Sequence, residues 1–366
     1  MTSRSRQDEI AELDRQILRS LAKRQELLAQ WQRDKDFPSL LEHQRQSVER
    51  GAASGTSVQQ RQDEESLIRW IAGTTYQRLE PHTRVAYLGP IYSYSYLAAL
   101  EHFGDTPALQ AVSSIGAVFD EVARGQAQWG VVPIENSTDG RIVDSLTMFA
   151  KAPARICGEI LLPIHHYLLG LGQRSQVQVI YSKPQALSQC RNWLHEHVPE
   201  AKWIEVSSTA TAASMAAQDA KAAAIASREA GIHHGLQVID PCIEDNTHNT
   251  TRFVILGNQL PAVTGKDKTS LMFRVPHQPG ALADAMQLFR QANLNLTWIE
   301  SFPIPGCPNE YLFFIELEGH QAQEAVAITI RALRQQCVRL EVLGSYPRAA
   351  PKPASNGAKL AGNEFR

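Results

Sequence analysis

The chain is short of cysteine, of net charge and of long apolar runs, and each shortage removes a class of function. Five cysteines (Cys157, Cys190, Cys242, Cys307, Cys337) in 366 residues, widely spread and with no Cys-x-x-Cys among them, argue against a disulfide framework or a zinc ribbon and fit free thiols in a reducing cytoplasm. A formal net charge of −2 makes no field that would gather nucleic acid or anionic lipid, so neither partner is expected. The most nearly apolar stretch, 160–172, is interrupted by Pro163, His165 and His166, and residues 1–10 are polar. No signal peptide and no membrane span are expected. There is no Gly-rich phosphate loop with its lysine and no Gly-x-Gly-x-x-Gly after a strand, which disfavours nucleotide chemistry. The histidines do not pair for a metal: His195 and His197 would point apart on a helix, and His165-His166 and His233-His234 diverge as neighbours.

What is present is globular: 43% hydrophobic and 20% charged residues in a length that fits two or three domains. Residues 7–35 place Ile10, Leu13, Ile17, Leu21, Leu27, Leu28 and Trp31 at helical spacing, and 40–50 and 63–77 read as two further helices. Three helices make a thin all-α layer that would need a second copy or the next domain to cover its apolar stripe, so a homodimer or higher homo-oligomer is expected. From Thr83 the texture changes to strands at 84–88, 108–112, 129–134, 154–169, 177–181, 202–206, 222–226, 237–239 and 252–256, with helices between most of them. That alternation predicts an α/β domain with a mainly parallel sheet, and a second strand block beginning near Val177 predicts two lobes with a cleft between them. After a Pro, Gly and Lys linker at 261–268, strands at 269–275, 294–304, 310–317 and 338–344 with helices at 279–292 and 321–336 spell a βαββαβ unit. The expected domains are 1–82, 83–258 and 268–346, followed by a tail, 347–366, too poor in apolar residues to fold.

The chemistry gathers around Thr251-Arg252-Phe253. At the mouth of an apolar strand, a guanidinium offers a planar fork for a carboxylate and a neighbouring hydroxyl can give a proton. The plain alternative, a solvated arginine beside an ordinary strand threonine, is the commoner one for an isolated pair. Four strand-to-helix loops add hydroxyls and free N–H groups: Ser93 and Ser95 after Gly89-Pro90, Asn136-Ser137-Thr138 after a buried strand, Ser182 with Gln189 one turn on, and Ser208-Thr209. Each of these is also an ordinary helix cap, and Ser137 and Thr138 are placed to cap a helix at 141–150. Together with Thr251 and Arg252 they describe a cleft that holds a small polyanion by neutral donors and one arginine.

All of these residues but Ser93 and Ser95, which follow closely on the first, occur in the segments VAYLGP (85–90), VVPIENSTDG (131–140), YSKPQALSQC (181–190), SSTATAA (207–213), GLQVI (235–239) and NTTRFVILG (249–257). In this order and at these separations they resemble prephenate dehydratase. The segments LMFRVPHQPGALADAM (271–286), LNLTWIESFP (294–303) and NEYLFFIELEGH (309–320) are similar to the ACT regulatory domain fused to that enzyme. With the helical start, the layout resembles the bifunctional chorismate mutase/prephenate dehydratase. The resemblance implies a two-lobed, periplasmic-binding-protein-like α/β catalytic domain between an all-α and an α+β domain, and decarboxylating dehydration of prephenate to phenylpyruvate without a cofactor. It implies Thr251 as the acid that protonates the departing hydroxyl and Arg252 as a carboxylate clamp. Asn136, Ser182 and Gln189 would touch substrate with Glu135 supporting their loop, and Ser93, Ser95, Ser137, Thr250, Phe253, Ser208 and Thr209 would line the site. L-phenylalanine would be an allosteric effector at Gly280, Ala281, Leu282, Asn295, Leu296, Glu300 and Ser301. Arogenate in place of prephenate, residual chorismate mutase activity, and a non-catalytic amino-acid or aromatic-acid sensor on the same fold remain alternatives.

The chain departs from the family pattern in three places. Tyr92 stands where a glycine is usual and Phe302 where an arginine is usual. In the mutase-like region Arg24 and Lys35 match and Thr75 is a tolerable change. Gln7 replaces an arginine and His43-Gln44 replaces an Arg-Glu pair, while Leu40 and Leu79 stand for polar residues. Losing two cations from a site for a dianion costs several kcal/mol at ~1.5 to 3 kcal/mol per charged hydrogen bond. Little or no mutase activity is therefore expected of this region, which would serve in dimerisation.

Overall fold

The computed structural model describes residues 3–31, 67, 70, 71, 73, 74, 83–104, 108–152, 154–304 and 310–349. Met1–Thr83 with Phe103–Thr106 form one compact unit and the remainder a second. In the first, a single long helix, Ser3–Trp31, is described. Much of its apolar stripe is solvent-facing: Ile10, Leu13, Ile17 and Leu27 are each more than half exposed, whereas Leu28 is buried. The expected second helix and the tail beyond Ala349 lie outside the described residues, and of the expected third helix, 63–77, only 67, 70, 71, 73 and 74 are described, all helical.

The second unit holds three sheets. The first lobe contains β1 (Val85–Leu88), β2 (Leu109–Val112), β3 (Trp129–Asn136), β4 (Gly140–Arg141) and β5 (Ile156–Pro163). The second lobe contains β6 (Tyr167–Gly170), β7 (Val179–Ser182), β8 (Lys202–Glu205), β9 (Ala222–Ala226) and β10 (Gln237–Asp240), and β11 (Thr250–Gly257) then returns to the first. The strand orders are β2-β1-β3-β11-β5, with β4 paired to β3, and β10-β6-β9-β7-β8. Two chain crossings, 164–166 and 241–249, therefore join the lobes.

Three expectations need correction here. The sheets are mixed: β1 runs parallel to β2 and β3, but β11 is antiparallel to both β3 and β5, and β6 is antiparallel to β9 and β10. A returning crossover makes an inserted last strand run backwards, which hydrophobic patterning cannot report. The single strand expected at 154–169 is two strands in different sheets, divided at the crossing. Third, β11 begins at Thr250, so Thr251 and Arg252 lie inside the strand and not at its mouth.

Small side chains shape the second lobe. All five residues of β9 are buried, and the facing helix Thr209–Ala216 presents Ala210, Ala212, Ala213 and Ala216, so helix and sheet approach closely.

The C-terminal module is the expected βαββαβ unit: β12 (Asp267–Arg274), β13 (Leu296–Pro303), β14 (Tyr311–Glu318) and β15 (Arg339–Pro347), in the order β13-β14-β12-β15. The period-2 alternation gives its sheet two apolar faces. Leu271, Phe273, Ile315 and Leu317 pack under the helices Ala281–Gln291 and Glu324–Gln336. Met272, Phe302, Leu312, Phe314, Leu343 and Tyr346 instead join one core with Val132, Ile134, Leu146, Phe149, Val254 and Leu256 of the first lobe. At ~1.5 to 3 kcal/mol for each fully buried large side chain, this contact holds the module firmly on the lobe. Gly344 permits it, since a Cβ there would run into the carbonyl oxygen of Ile156 on β5.

Candidate active site

Asn136, Asn249, Gln189 and Thr251 form a hydrogen-bonded chain at the crossing between the lobes. The side-chain oxygen of Asn136 accepts from the backbone N–H groups of Thr138 (2.9 Å) and Asp139 (3.0 Å). Backbone donors therefore fix which way this amide points, and its nitrogen must donate. It does so to Asn249 Oδ1 (2.9 Å) and to Thr251 Oγ1 (2.8 Å). Asn249 Nδ2 in turn donates to Gln189 Oε1 (3.0 Å), and Gln189 Nε2 to the Asp139 carboxylate (2.9 Å). The polarity of the chain is thus set from one end to the other. Thr251 Oγ1 accepts from Asn136 and has no other partner among the described residues, which leaves its proton to be donated to a ligand. Asn136 and Thr251 face each other in the register of β3 and β11.

One step along the same register, Arg252 is opposite Glu135, and successive strand residues point to opposite faces. Thr251 and Arg252 therefore do not address the same crevice. The Arg252 guanidinium is buried, with Nε 3.1 Å from Glu135 Oε2, and Nη1 2.5 Å from Glu316 Oε1 and 3.5 Å from Glu159 Oε2. Its Cζ lies 5.0 Å from the centroid of the Trp298 ring. Lys268 Nζ joins the cluster at 2.9 Å from Glu159 and 3.2 Å from Glu316. Burial works against the Arg252 charge, but Glu316, Tyr346 and Glu159 outweigh it and raise the pKa. Burial likewise pushes the Glu316 carboxyl up, and Arg252 and then Lys268 overcome this to hold it below the usual carboxylate range. The expectation of Arg252 as a clamp on a ligand carboxylate is corrected by this geometry.

Other expected residues are spread between capping, lining and burial. Ser182 is wholly buried and donates to Ile225 O (2.7 Å). Ser208 caps the helix Thr209–Ala216 by accepting from Thr211 N, and Ser93 accepts from Tyr96 N while donating to Leu88 O. Ser95 is buried in the first turn of the helix Tyr94–Phe103 and Thr209 at the start of Thr209–Ala216. Ser137 does not cap the next helix, which begins only at Val143 with Ile142 as its cap residue. It accepts from Thr250 N (2.9 Å) and donates to His248 O (3.2 Å), tying the loop to the return crossing. Phe253 is 1% exposed, so its ring is core beside the site and not an open lining.

Four contributors were not singled out from sequence: Asn249, Asp139, Tyr94 and His166. His166 Nε2 lies 2.8 Å from Gln189 Oε1, and Tyr94 Oη lies 2.7 Å from His165 O and 3.1 Å from His166 Nδ1. Burial holds the His166 pKa below the ordinary histidine value. Gln189 Oε1 is an acceptor, so the neutral ring carries its proton on Nε2, and the single Tyr94 hydroxyl proton goes to His165 O, the shorter contact, or to Nδ1, not to both. His165 is bonded to Glu244 Oε1 (2.8 Å) and, with bonds to Cys242 and Glu244, has its pKa pushed up to about 10. His165, Cys242 and Glu244 present donor atoms within 4.8 Å of one another, a set assembled from the two crossings and invisible in sequence spacing. The 2.8 Å His165–Glu244 bond already pairs two of its donors, so it ties the crossings together as it stands. His195 and His197 do diverge, onto Trp203 and Trp193 respectively.

In the C-terminal module Gly280 has φ +83 and caps the helix that begins at Ala281. Ala281 lines a concavity of about 560 Å³ with Pro276, Gln278 and Asp284, whereas Leu282 and Leu296 pack into the module's own core. Asn295 accepts from Glu318 N through its carbonyl, and Ser301 is exposed. Glu300 is paired with Arg141 (3.0 Å) of β4. Phe302 is turned into the core shared with the first lobe, where an arginine would be an unpaired buried charge. Of the mutase-like positions, Arg24 is half-buried on the long helix, Lys35, His43, Gln44 and Thr75 lie outside the described residues, and nothing is described of the Gln7 side chain.

The family model for prephenate dehydratase matches residues 85–260. A bifunctional chorismate mutase/prephenate dehydratase of Aquifex aeolicus is 40% identical over 272 residues, which cover 74% of this chain and 75% of that protein. A crystal structure of prephenate dehydratase from Arthrobacter aurescens in complex with L-Phe is 31% identical, with a TM-score of 0.68, covering 73% of this chain and 90% of that one. A structure described as a novel type of quorum quenching acylase, GqqA, is 29% identical with a TM-score of 0.66, covering 72% of this chain and 98% of that one.

Proposed function

The chain belongs to the prephenate dehydratase family, and from that footing we propose how its side chains carry out the reaction. It is a lyase of phenylalanine biosynthesis that converts prephenate to phenylpyruvate, under feedback by phenylalanine. The ring carboxylate leaves as carbon dioxide, its bonding pair moves into the ring, and the ring expels its hydroxyl, which takes one proton to leave as water. Thr251 supplies that proton and recovers one from solvent. The observation that carries this reading is the 2.8 Å bond from Asn136 to Thr251 Oγ1. It stabilises negative charge growing on that oxygen and turns the threonine's own proton outward. Aromatisation provides the driving force, so one positioned donor, worth roughly 10²- to 10⁴-fold, and a pocket are enough. No cofactor is called for. Gln189 and Asn249 hold the donor in place, and the helix starts at Ser93-Ser95 and Ser208-Thr209 offer neutral donors to the substrate's carboxylates.

Replacing Thr251 with Val removes the proton and keeps the shape. Prephenate turnover is expected to fall by roughly 10²-fold or more with binding retained. Unchanged turnover would refute the acid role, and binding without turnover in the unaltered protein would favour the sensor reading. Acyl hydrolysis, the chemistry named for GqqA, needs a base to activate the hydroxyl, whereas Thr251 is met by an amide donor. Prephenate and arogenate share the carboxylates; comparing turnover of the two acids chooses between them.

The proposed layout is a degenerate mutase-like domain at 1–82, the two-lobed dehydratase domain at 83–258 and an ACT domain at 268–346. The helical domain serves in a homodimer, and the protein works in the cytoplasm. Among the described residues no helix is long and apolar enough to cross a membrane.

A further inference from the structure

The buried charge cluster joins the strand that carries Thr251 to the sheet of the C-terminal module. We propose that Glu316 and Trp298 are positioning residues for the reaction, acting through Arg252 to hold Thr251 and Asn136 at their working separation. This rests on the reading of Thr251 as the proton donor.

The register makes the connection short. Thr251 faces Asn136, and the next pair is Arg252 with Glu135. The two pairs are consecutive rungs of one ladder on opposite faces, so a displacement of the Arg252–Glu135 rung shifts the donor rung with it. Arg252 is held from outside the lobe by Glu316 of β14 at 2.5 Å and by the Trp298 ring of β13 at 5.0 Å. Its Nη2 is buried with no hydrogen-bond partner among the described residues, so the guanidinium is held through Nε, Nη1 and the ring contact. Glu316 is itself braced by Lys268 and Ser270 of β12. Interfaces packed this tightly switch between arrangements in place of yielding gradually.

The strand that supplies Trp298 also supplies Glu300, on the same face and two residues on. Glu300 pairs with Arg141 of β4 at 3.0 Å, and β4 closes the loop that contains Asn136 and Asp139. A movement of β13 on effector binding would therefore reach both partners of the hydrogen bond, Thr251 through Arg252 and Asn136 through Arg141.

The test is kinetic, on the full chain, with Glu316→Gln and Glu316→Asp. With prephenate, Glu316→Gln is expected to lower kcat by roughly 10-fold or more with KM within about threefold, since a loss confined to the transition state leaves ground-state binding alone. Glu316→Asp should recover part of the loss. L-phenylalanine binding, measured by calorimetry, should remain, while inhibition at saturating L-phenylalanine falls in proportion to the lost coupling. Unchanged kcat together with full inhibition would overturn the proposal. So would loss of L-phenylalanine binding in step with kcat, which would mean general unfolding of the module. If Glu316→Gln does not fold, Trp298→Leu keeps the ion pairs and removes the ring; it should weaken inhibition, and inhibition equal to that of the unaltered chain would reject the idea. If the unaltered chain does not turn over prephenate, the dehydratase reading itself has failed, a result distinct from these.

Discussion

Two adjacent histidines at the interlobe crossing have opposed titrations. Burial lowers the His166 pKa, so between that value and the unfolded ~6.5 the unfolded chain binds more protons and stability rises with pH. The contribution of neutral His166 is complete above ~6.5 and declines as pH falls. His165 is raised to about 10 by Cys242 and Glu244, so its contribution is complete below ~6.5 and lost as pH climbs to about 10. Thermal unfolding followed from pH 5 to 10 should therefore weaken on both sides of neutrality. His166→Asn should flatten the acid side and His165→Gln the alkaline side, and an unaltered profile in either variant would show that the ring is not the titrating group. Tyr92 is a second local case. It adopts φ +64, at a cost of roughly 1 to 2 kcal/mol for a residue with a Cβ, while its ring meets His233 at 4.2 Å and Tyr96 at 5.2 Å, contacts worth ~0.5 to 1.5 kcal/mol each. The two nearly cancel, which is why a tyrosine is tolerated where the family usually has glycine.

Among the elements, β15 and β5 decide how the C-terminal module is seated. Leu343 makes a bulge in the pairing of β15 with β12 and sits in the shared core, and the adjacent Gly344 backbone lies against Ile156. Gly344→Ala has no flexible neighbour to displace, only backbone, so the strands must part. A loss of about 1 to 3 kcal/mol is expected, read as a lower melting temperature in scanning calorimetry, with weaker inhibition by phenylalanine. A variant that melts and is inhibited like the unaltered protein would show that the seating has slack. Strand positions were readable from alternation and breaker residues. Which sheet a strand enters was not, because the break at Pro163, His165 and His166 within 154–169 does not say that the chain changes lobe there.

At the scale of the molecule, the long N-terminal helix leaves much of its apolar stripe uncovered. Ile10, Leu13, Ile17 and Leu27 are exposed along one stripe, a pattern that a second copy would bury. The protein is expected to sediment as a dimer and to turn over chorismate no faster than a blank. Leu13→Glu with Ile17→Glu should shift it toward monomer in analytical ultracentrifugation. A monomeric unaltered protein, or ordinary mutase turnover, would reverse the assignment of this region to assembly.

Periodicity was enough for the α/β class of the two-lobed part and the α+β class of the C-terminal module, and motif order for the reaction, because these depend on which residue types occur and at what spacing. The facing of side chains did not follow from them. Arg252, beside Thr251 in sequence, is directed into the C-terminal module because strand neighbours point apart and because Glu316 and Trp298, 64 and 46 positions away along the chain, fold to meet it. His166 and Asn249 reach the site on the two crossings between lobes and Asp139 on the loop after β3, a proximity that tertiary contact creates.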